Sequence, residues 1–148
     1  MTDLMDTYIQ NREMIQPNHT NMLGKTHGGH VMKVMDEVGA MAAMRFAGET
    51  CVTARVDQMN FELPIRVGDT ALVTAYVYDA GRTSVHVALR AWREAPRTGE
   101  LEETTGSSFT FVAVDDDGQP IPVPDLSVET EEGERLRERA LEIAASHD

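Results

Sequence analysis

The stretch Asn21–Phe46, NMLGKTHGGHVMKVMDEVGAMAAMRF, decides how the rest of the chain is read. It opens on turn residues and the pair Gly28-Gly29. Apolar positions then follow at Val31, Met35, Val38 and Ala42, flanked by Met32, Gly39, Ala43 and Phe46. Spacings of three and four belong to a helix with a broad buried face. Gly39 and the alanines Ala40, Ala42, Ala43 and Ala47 allow a sheet to approach closely, and Gly48 supplies a C-terminal stop. A single acidic pair, Asp36-Glu37, interrupts the pattern.

Beyond Gly48 the period changes from helical to two. Val52-Thr53-Ala54-Arg55-Val56 alternates, and Met59 and Phe61 extend that run. After Pro64 and a Val67-Gly68-Asp69 turn, Ala71, Val73, Ala75 and Val77 alternate with their neighbours. So do Val85, Val87, Leu89 and Ala91, and then Phe109, Phe111 and Ala113. Four long strands with short, glycine-containing connections imply an antiparallel meander. Upstream, Arg12–Gln16 reads as a short strand, followed by a dense turn cluster at residues 17–21. Downstream, Pro120, Pro122 and Pro124 hold the chain extended. Leu136, Ala140, Ile143 and Ala144 mark an amphipathic helix with Glu131, Glu132 and Glu134 near its positive end. The order implies an α+β fold, one central helix against a curved sheet with a peripheral C-terminal helix.

At 148 residues and 41% hydrophobic, the chain is one core-forming unit. No run of about 18 apolar residues is present, so no membrane span is expected. The first ten residues are acidic and read as neither a secretory signal nor a transit peptide. A lone Cys51 fits a reducing, cytoplasmic setting. The net charge of −12 is uneven: residues 115–148 hold 11 acids and 3 bases, while residues 1–114 hold 14 and 10. This acidity disfavours nucleic-acid binding, which needs a basic surface.

Asp36 has Met32, Lys33, Gly39 and Ala40 as helical neighbours. On such a surface a carboxylate is partly desolvated, which suits a general base, whereas a salt bridge to Lys33 is the bland account. The Gly28-Gly29 pair opens a helix start, where unpaired N–H groups and the positive dipole end can stabilise an oxyanion; equally, a tight loop needs glycine. Asn21 is either a polarising group or a turn former. His27 and His30 lack further ligands, so no metal is expected. Cys51 reads as a structural thiol. Gly81-Arg82-Thr83-Ser84 offers a cation and two hydroxyls between strands, fit for a phosphate or for nothing more than a hairpin turn.

Taken in order, Asn21-Met-Leu-Gly24, Gly28-Gly29-His-Val-Met, Asp36-Glu37, Val52-Thr53-Ala54, Asn60-Phe61, Pro64-Ile65, Val67-Gly68-Asp69, Gly81-Arg82-Thr83-Ser84 and Phe109-Thr-Phe111-Val112-Ala113 resemble the hotdog-fold acyl-CoA thioesterases, in their cytosolic acyl-CoA hydrolase branch. The resemblance covers residues 17–124. It implies a hotdog domain over residues 1–124, followed by an acidic helical extension over 125–148. It also implies a homodimer as minimum unit, often a trimer of dimers, with sites at the dimer interface. By position, Asp36 matches the family's catalytic carboxylate, acting as general base or nucleophile. Asn21 matches its essential Asn, supplied by the partner subunit. The Gly29 N–H polarises the thioester carbonyl, and Gly81, Arg82, Thr83 and Ser84 form the turn that contacts the CoA nucleotide. Coenzyme A enters as part of the substrate, and no separate cofactor is implied.

The acidic tail lies outside that pattern. A basic patch for CoA must therefore be local, with Arg66, Arg82 and Arg90 as candidates. Two other accounts remain beside hydrolysis. One is a non-catalytic acyl-CoA-binding or sensing module, which has no need of Asn21 or Asp36. The other is an enoyl-CoA hydratase or dehydratase, which generally needs an Asp/His pair; no His stands at helical spacing from Asp36, and His86 is a candidate for approach in three dimensions.

Overall fold

The computed structural model describes residues 1–146. In chain order the elements are β1 (Thr2–Asp3), a 3-10 turn at Leu4–Thr7, β2 (Ile9–Met14), a second 3-10 turn at Pro17–His19, and α1 (Gly28–Ala47). Then come β3 (Thr50–Val56), β4 (Thr70–Ala80), β5 (Ser84–Glu94), β6 (Leu101–Val114), β7 (Leu126–Ser127) and α2 (Glu131–Ser146). A five-stranded antiparallel sheet has the order β2-β4-β5-β6-β3, and β1 and β7 form a separate parallel pair.

The α1 helix lies on the inner face of this sheet. Val31, Val34, Met35, Val38, Gly39, Ala42, Ala43 and Phe46 are buried against Val73, Val77, Val87, Leu89, Phe109 and Phe111. Its end is the expected one: Gly48 takes φ 71°, and its N–H bonds the Met44 carbonyl at 2.8 Å. Gly39 sets the helix-to-sheet distance. A Cβ there would stand 3.0 Å from Leu89 Cδ1 and 3.1 Å from Phe111 Cζ. Met32, expected on the buried flank, is instead 38% exposed. It stands four residues before Asp36 and therefore shares that residue's side of the helix.

Three other expectations need correction. The first strand of the five-stranded sheet runs Ile9–Met14 rather than Arg12–Gln16. Its polar side chains suit an edge position beside β4, and Ile15 turns into the core. The meander is limited to β4-β5-β6. The β3 strand pairs with β6 at the far edge, so residues 57–69 must cross the sheet to reach β4. Met59 and Phe61 lie in that crossing and not in a strand. The crossing is fastened at Asp57 N–H to Ser108 O and Glu62 N–H to Thr104 O, both 3.0 Å, and it lays the Phe61 ring beside Gly28.

On the outer face, α2 packs Ala140 against a cluster with Leu4, Tyr76, Tyr78 and Ala88. Tyr76 Oη donates to Leu136 O at 2.7 Å and Arg137 Nε to Tyr78 O at 3.1 Å. At the chain's other end Asp3 accepts from Met5 N–H and Glu129 N–H, joining β1 to the approach of α2. Among the described residues no helix is long and apolar enough to cross a membrane.

Candidate active site

Asp36, Gly29, Met32, Lys33, Thr53, Val56 and Phe109 line one depression of about 400 Å³ where α1 meets the β3 edge. Asp36 is half-buried, and Thr53 Oγ1 donates to its Oδ1 at 2.5 Å. Lys33 pairs with Glu37 at 3.9 Å rather than with Asp36. One carboxylate oxygen is thus oriented by a hydroxyl, and the residue lines the depression. Thr53 carried no role in the sequence reading. The available signal was its position two residues after Cys51, which puts both side chains on the helix-facing side of β3. The ladder with β6 shifts register between Thr53 and Arg55, the kind of irregularity that re-aims a side chain.

Gly29 sits in the first turn of α1, and a Cβ at this position would meet nothing within 4 Å. Gly29 and Asp36 line the same depression, and the N-cap His27 makes no side-chain capping bond. The helix start therefore presents donors to the same depression that holds the carboxylate.

Asn21 is placed elsewhere. Its Oδ1 accepts from Leu23 N–H at 2.9 Å and Lys25 N–H at 3.3 Å, making the turn that the loop requires. It lines a second depression of about 340 Å³ with Lys25, Gly28, Val31, Phe61 and Ile65. Gly28 faces this one and Gly29 the other, so the start of α1 divides Asn21 from Asp36 within one chain.

The β4–β5 connection is tight. Gly81 N–H bonds Ser84 O at 2.9 Å, and a Cβ on Gly81 would fall 2.6 Å from Ser84 Oγ. The carbonyls of Arg82 and Thr83 accept from Val123 and Ala113, which fixes the turn and leaves the Arg82 side chain exposed. Of the other basic candidates, Arg90 is committed on the outer face. It bonds Glu103 at 3.0 and 2.7 Å and lies 4.1 Å over the Trp92 ring. That bond to Arg90 holds the Glu103 carboxyl below its ordinary range. Arg66 is exposed and bridges to Lys25 through the backbone.

His30 meets not His27 but Glu13 and His19, and the three donor atoms lie within 4.8 Å of one another. The two imidazoles stack 4.1 Å apart at 13°, so their in-plane lone pairs do not converge, and His19 Nδ1 already accepts from Gln16 N–H at 3.0 Å. The arrangement is that of a hydrogen-bonded stack rather than a coordination sphere.

A family model described as the thioesterase superfamily matches residues 23–100. The chain belongs to that superfamily. A curated relative named as an uncharacterized acyl-CoA thioester hydrolase, YkhA of Bacillus subtilis, is 35% identical over 128 residues, 86% of this chain and 74% of the relative. A hexameric acyl-CoA thioesterase solved in its apo form matches with a TM-score of 0.87 at 35% identity, covering 99% of this chain and 96% of that one. The acyl-CoA hydrolase of Staphylococcus aureus, solved with butyryl coenzyme A, coenzyme A and coenzyme A disulfide, matches with a TM-score of 0.86 at 28% identity, covering 98% and 90%.

Within this hotdog thioesterase, two residues are removed from the chemistry by their positions. His86 faces the outer side of the sheet, bonded through Nδ1 to Thr110 Oγ1 at 3.1 Å, whereas Asp36 belongs to α1 on the inner side. Among the described residues, no imidazole is hydrogen-bonded to Asp36, whose side-chain partner is Thr53. Cys51 is buried, and desolvation pushes its thiol up to about 11, so it stays protonated and unreactive at neutral pH.

Proposed function

We propose that this thioesterase hydrolyses acyl-CoA to a carboxylic acid and CoA with Asp36 as the reacting carboxylate, oriented by Thr53, and Gly29 N–H as oxyanion donor. The convergence of Asp36, Thr53 and Gly29 on one depression carries the reading. Two routes satisfy this geometry. In the first, Asp36 removes a proton from water and the resulting oxygen adds to the thioester carbonyl carbon. The carbonyl becomes an oxyanion held by Gly29 N–H, and its collapse breaks the C–S bond, the sulfur leaving as thiol once it regains a proton. In the second, Asp36 itself adds to the carbonyl, CoA leaves, and water then cleaves the mixed anhydride.

Asn21 enters the reacting depression from the partner subunit, because the α1 start separates it from Asp36 of its own chain. A homodimer is then the smallest active unit, and a trimer of dimers accords with the hexameric relative. Structures of the S. aureus hydrolase include single Ala variants at an Asn, an Asp and a Thr. In that chain the three stand 15 and 17 residues apart, the spacing of Asn21, Asp36 and Thr53 here. Gly81, Arg82, Thr83 and Ser84 contact the CoA nucleotide portion, with Arg82 the exposed cation of that turn. The lone Cys51 suits a cytoplasmic setting.

Replacing the carboxylate tests the reading. Asp36→Asn lowers CoA release roughly 10²- to 10⁴-fold while melting and assembly stay as in the wild type; near-normal thiol release by a folded variant removes Asp36 from the reaction. Subunit exchange tests the shared site. Inactive Asn21→Ala and inactive Asp36→Asn proteins regain activity on mixing, since half of the sites in each mixed dimer are intact.

A further inference from the structure

We infer that Glu13, His19 and His30 are positioning residues for this hydrolysis, clamping the Asn21 turn to the start of α1; the inference rests on the roles given above to Asn21 and Gly29. The turn that presents Asn21 leaves the 3-10 segment at His19 and returns to the helix at His27, where His27 N–H bonds His19 O at 2.9 Å. The His19 side chain holds both ends of this excursion. Its Nδ1 accepts Gln16 N–H at 3.0 Å on the entering side, and its ring stacks on His30 on the leaving side. His30 Nε2 in turn makes a short hydrogen bond to Glu13 Oε1 on β2. Glu13 is the one carboxylate among the described residues within 4 Å of either ring, with its Oε1 also 3.9 Å from His19 Nδ1.

The chain of contacts runs from sheet to helix to turn, and each link is directional. Glu13 fixes the plane of the His30 ring, and that plane sets the face on which His19 rests. His19 then fixes the register of the turn whose next residues are Thr20 and Asn21. One residue along the helix from His30 is Gly29. The same three side chains thus govern two groups that, in the dimer, serve different active sites: Gly29 N–H in the chain's own depression and Asn21 in the partner's. Glu13 and His19 stand 17 and 11 residues before His30, so no local spacing in the sequence links the three.

The comparison of His19→Ala with His19→Asn separates positioning from mere support. The Asn side chain keeps an oxygen acceptor for Gln16 N–H and loses only the stack, whereas Ala loses both. In the intact oligomer, His19→Ala is expected to lower kcat by roughly 10- to 100-fold, as small displacements of reacting groups do. KM is expected to change little, because the affected groups act in the transition state. His19→Asn recovers part of kcat, and Glu13→Gln falls between them. Amide exchange over residues 19–30 rises in the order of the rate losses, with the melting temperature nearly constant. Wild-type kcat in folded His19→Ala and Glu13→Gln overturns the inference even if exchange has risen. A loss of kcat that follows the melting temperature across all three variants overturns it too, in favour of plain stability. Wild-type protein that releases no CoA from any acyl-CoA fails earlier, and removes the hydrolase reading itself.

Discussion

Two helices rest on one sheet, and they are held by different physics. On the inner face α1 is fixed by shape: small residues bring it close, Gly39 leaves no room for a methyl group, and buried aromatic rings fill the far side. On the outer face α2 fully buries Ala140, packs Leu136 and Ala144 only in part, and adds polar links through Tyr76 Oη to Leu136 O, Arg137 to Tyr78 O, and Arg139 beside Glu103. Of the two helices, only α1 carries candidate site residues, Gly29 and Asp36. A close-packed helix has one permitted position, so the rim that carries Gly29 and Asp36 is held firmly against the sheet. A helix held by hydrogen bonds and solvated charges is tuned more easily and constrains less.

Substitutions on either face can break that contrast. The largest effect belongs to Gly39→Val, which forces two methyl groups against Leu89 and Phe111 and should cost about 1–3 kcal/mol, read from the urea midpoint, with activity falling as α1 shifts. A midpoint equal to the wild type's would mean that the inner face is no tighter than the outer. Tyr76→Phe comes next. It removes one hydrogen bond to α2 and should cost about 1 kcal/mol without altering the rate of CoA release. A matching loss of activity would show that the outer face constrains the site after all.

The smallest effect is a dependence on pH. Arg90 lowers the Glu103 carboxyl from its ordinary range. A group depressed in the folded state adds stability above its unfolded value and loses that stability as pH falls through the folded one. Wild type should therefore exceed Glu103→Gln in stability near neutrality by less than about 1 kcal/mol, because solvent screens this partly exposed pair. The gap should close on acidification below the carboxylate range. A gap that persists in acid would assign the effect to packing of the side chain rather than to its charge.

The sequence made the inner face far more legible than the rest. Val31, Met35, Val38 and Ala42 declare a helix by spacing alone, and Gly48 declares its end. The alternation in β4, β5 and β6 is equally plain, since one side of each strand enters the core. β2 was misplaced because an edge strand made of Gln10, Asn11, Arg12 and Glu13 has no apolar alternation to read. β3 was recognised as a strand but not as the far edge, because alternation reports burial and says nothing about partners. The same limit hid Thr53, 17 residues from the carboxylate it touches, and it hid the commitment of Arg90 to Glu103 across a hairpin. The sequence marks Asn21 and Gly29 as candidates, but their separation into two depressions follows only from the path of α1 between them.

The pairing of Thr2 with Leu126 has a consequence for how the molecule is made. That short parallel contact closes a loop of more than 120 residues, and so small a pair recovers little of the entropy lost in closing it. It is therefore expected to form late, on a sheet already assembled, and beside it Asp3 bonds Glu129 just before α2 begins. In native hydrogen exchange the first cooperative opening should release the two chain ends together and leave the α1 core closed.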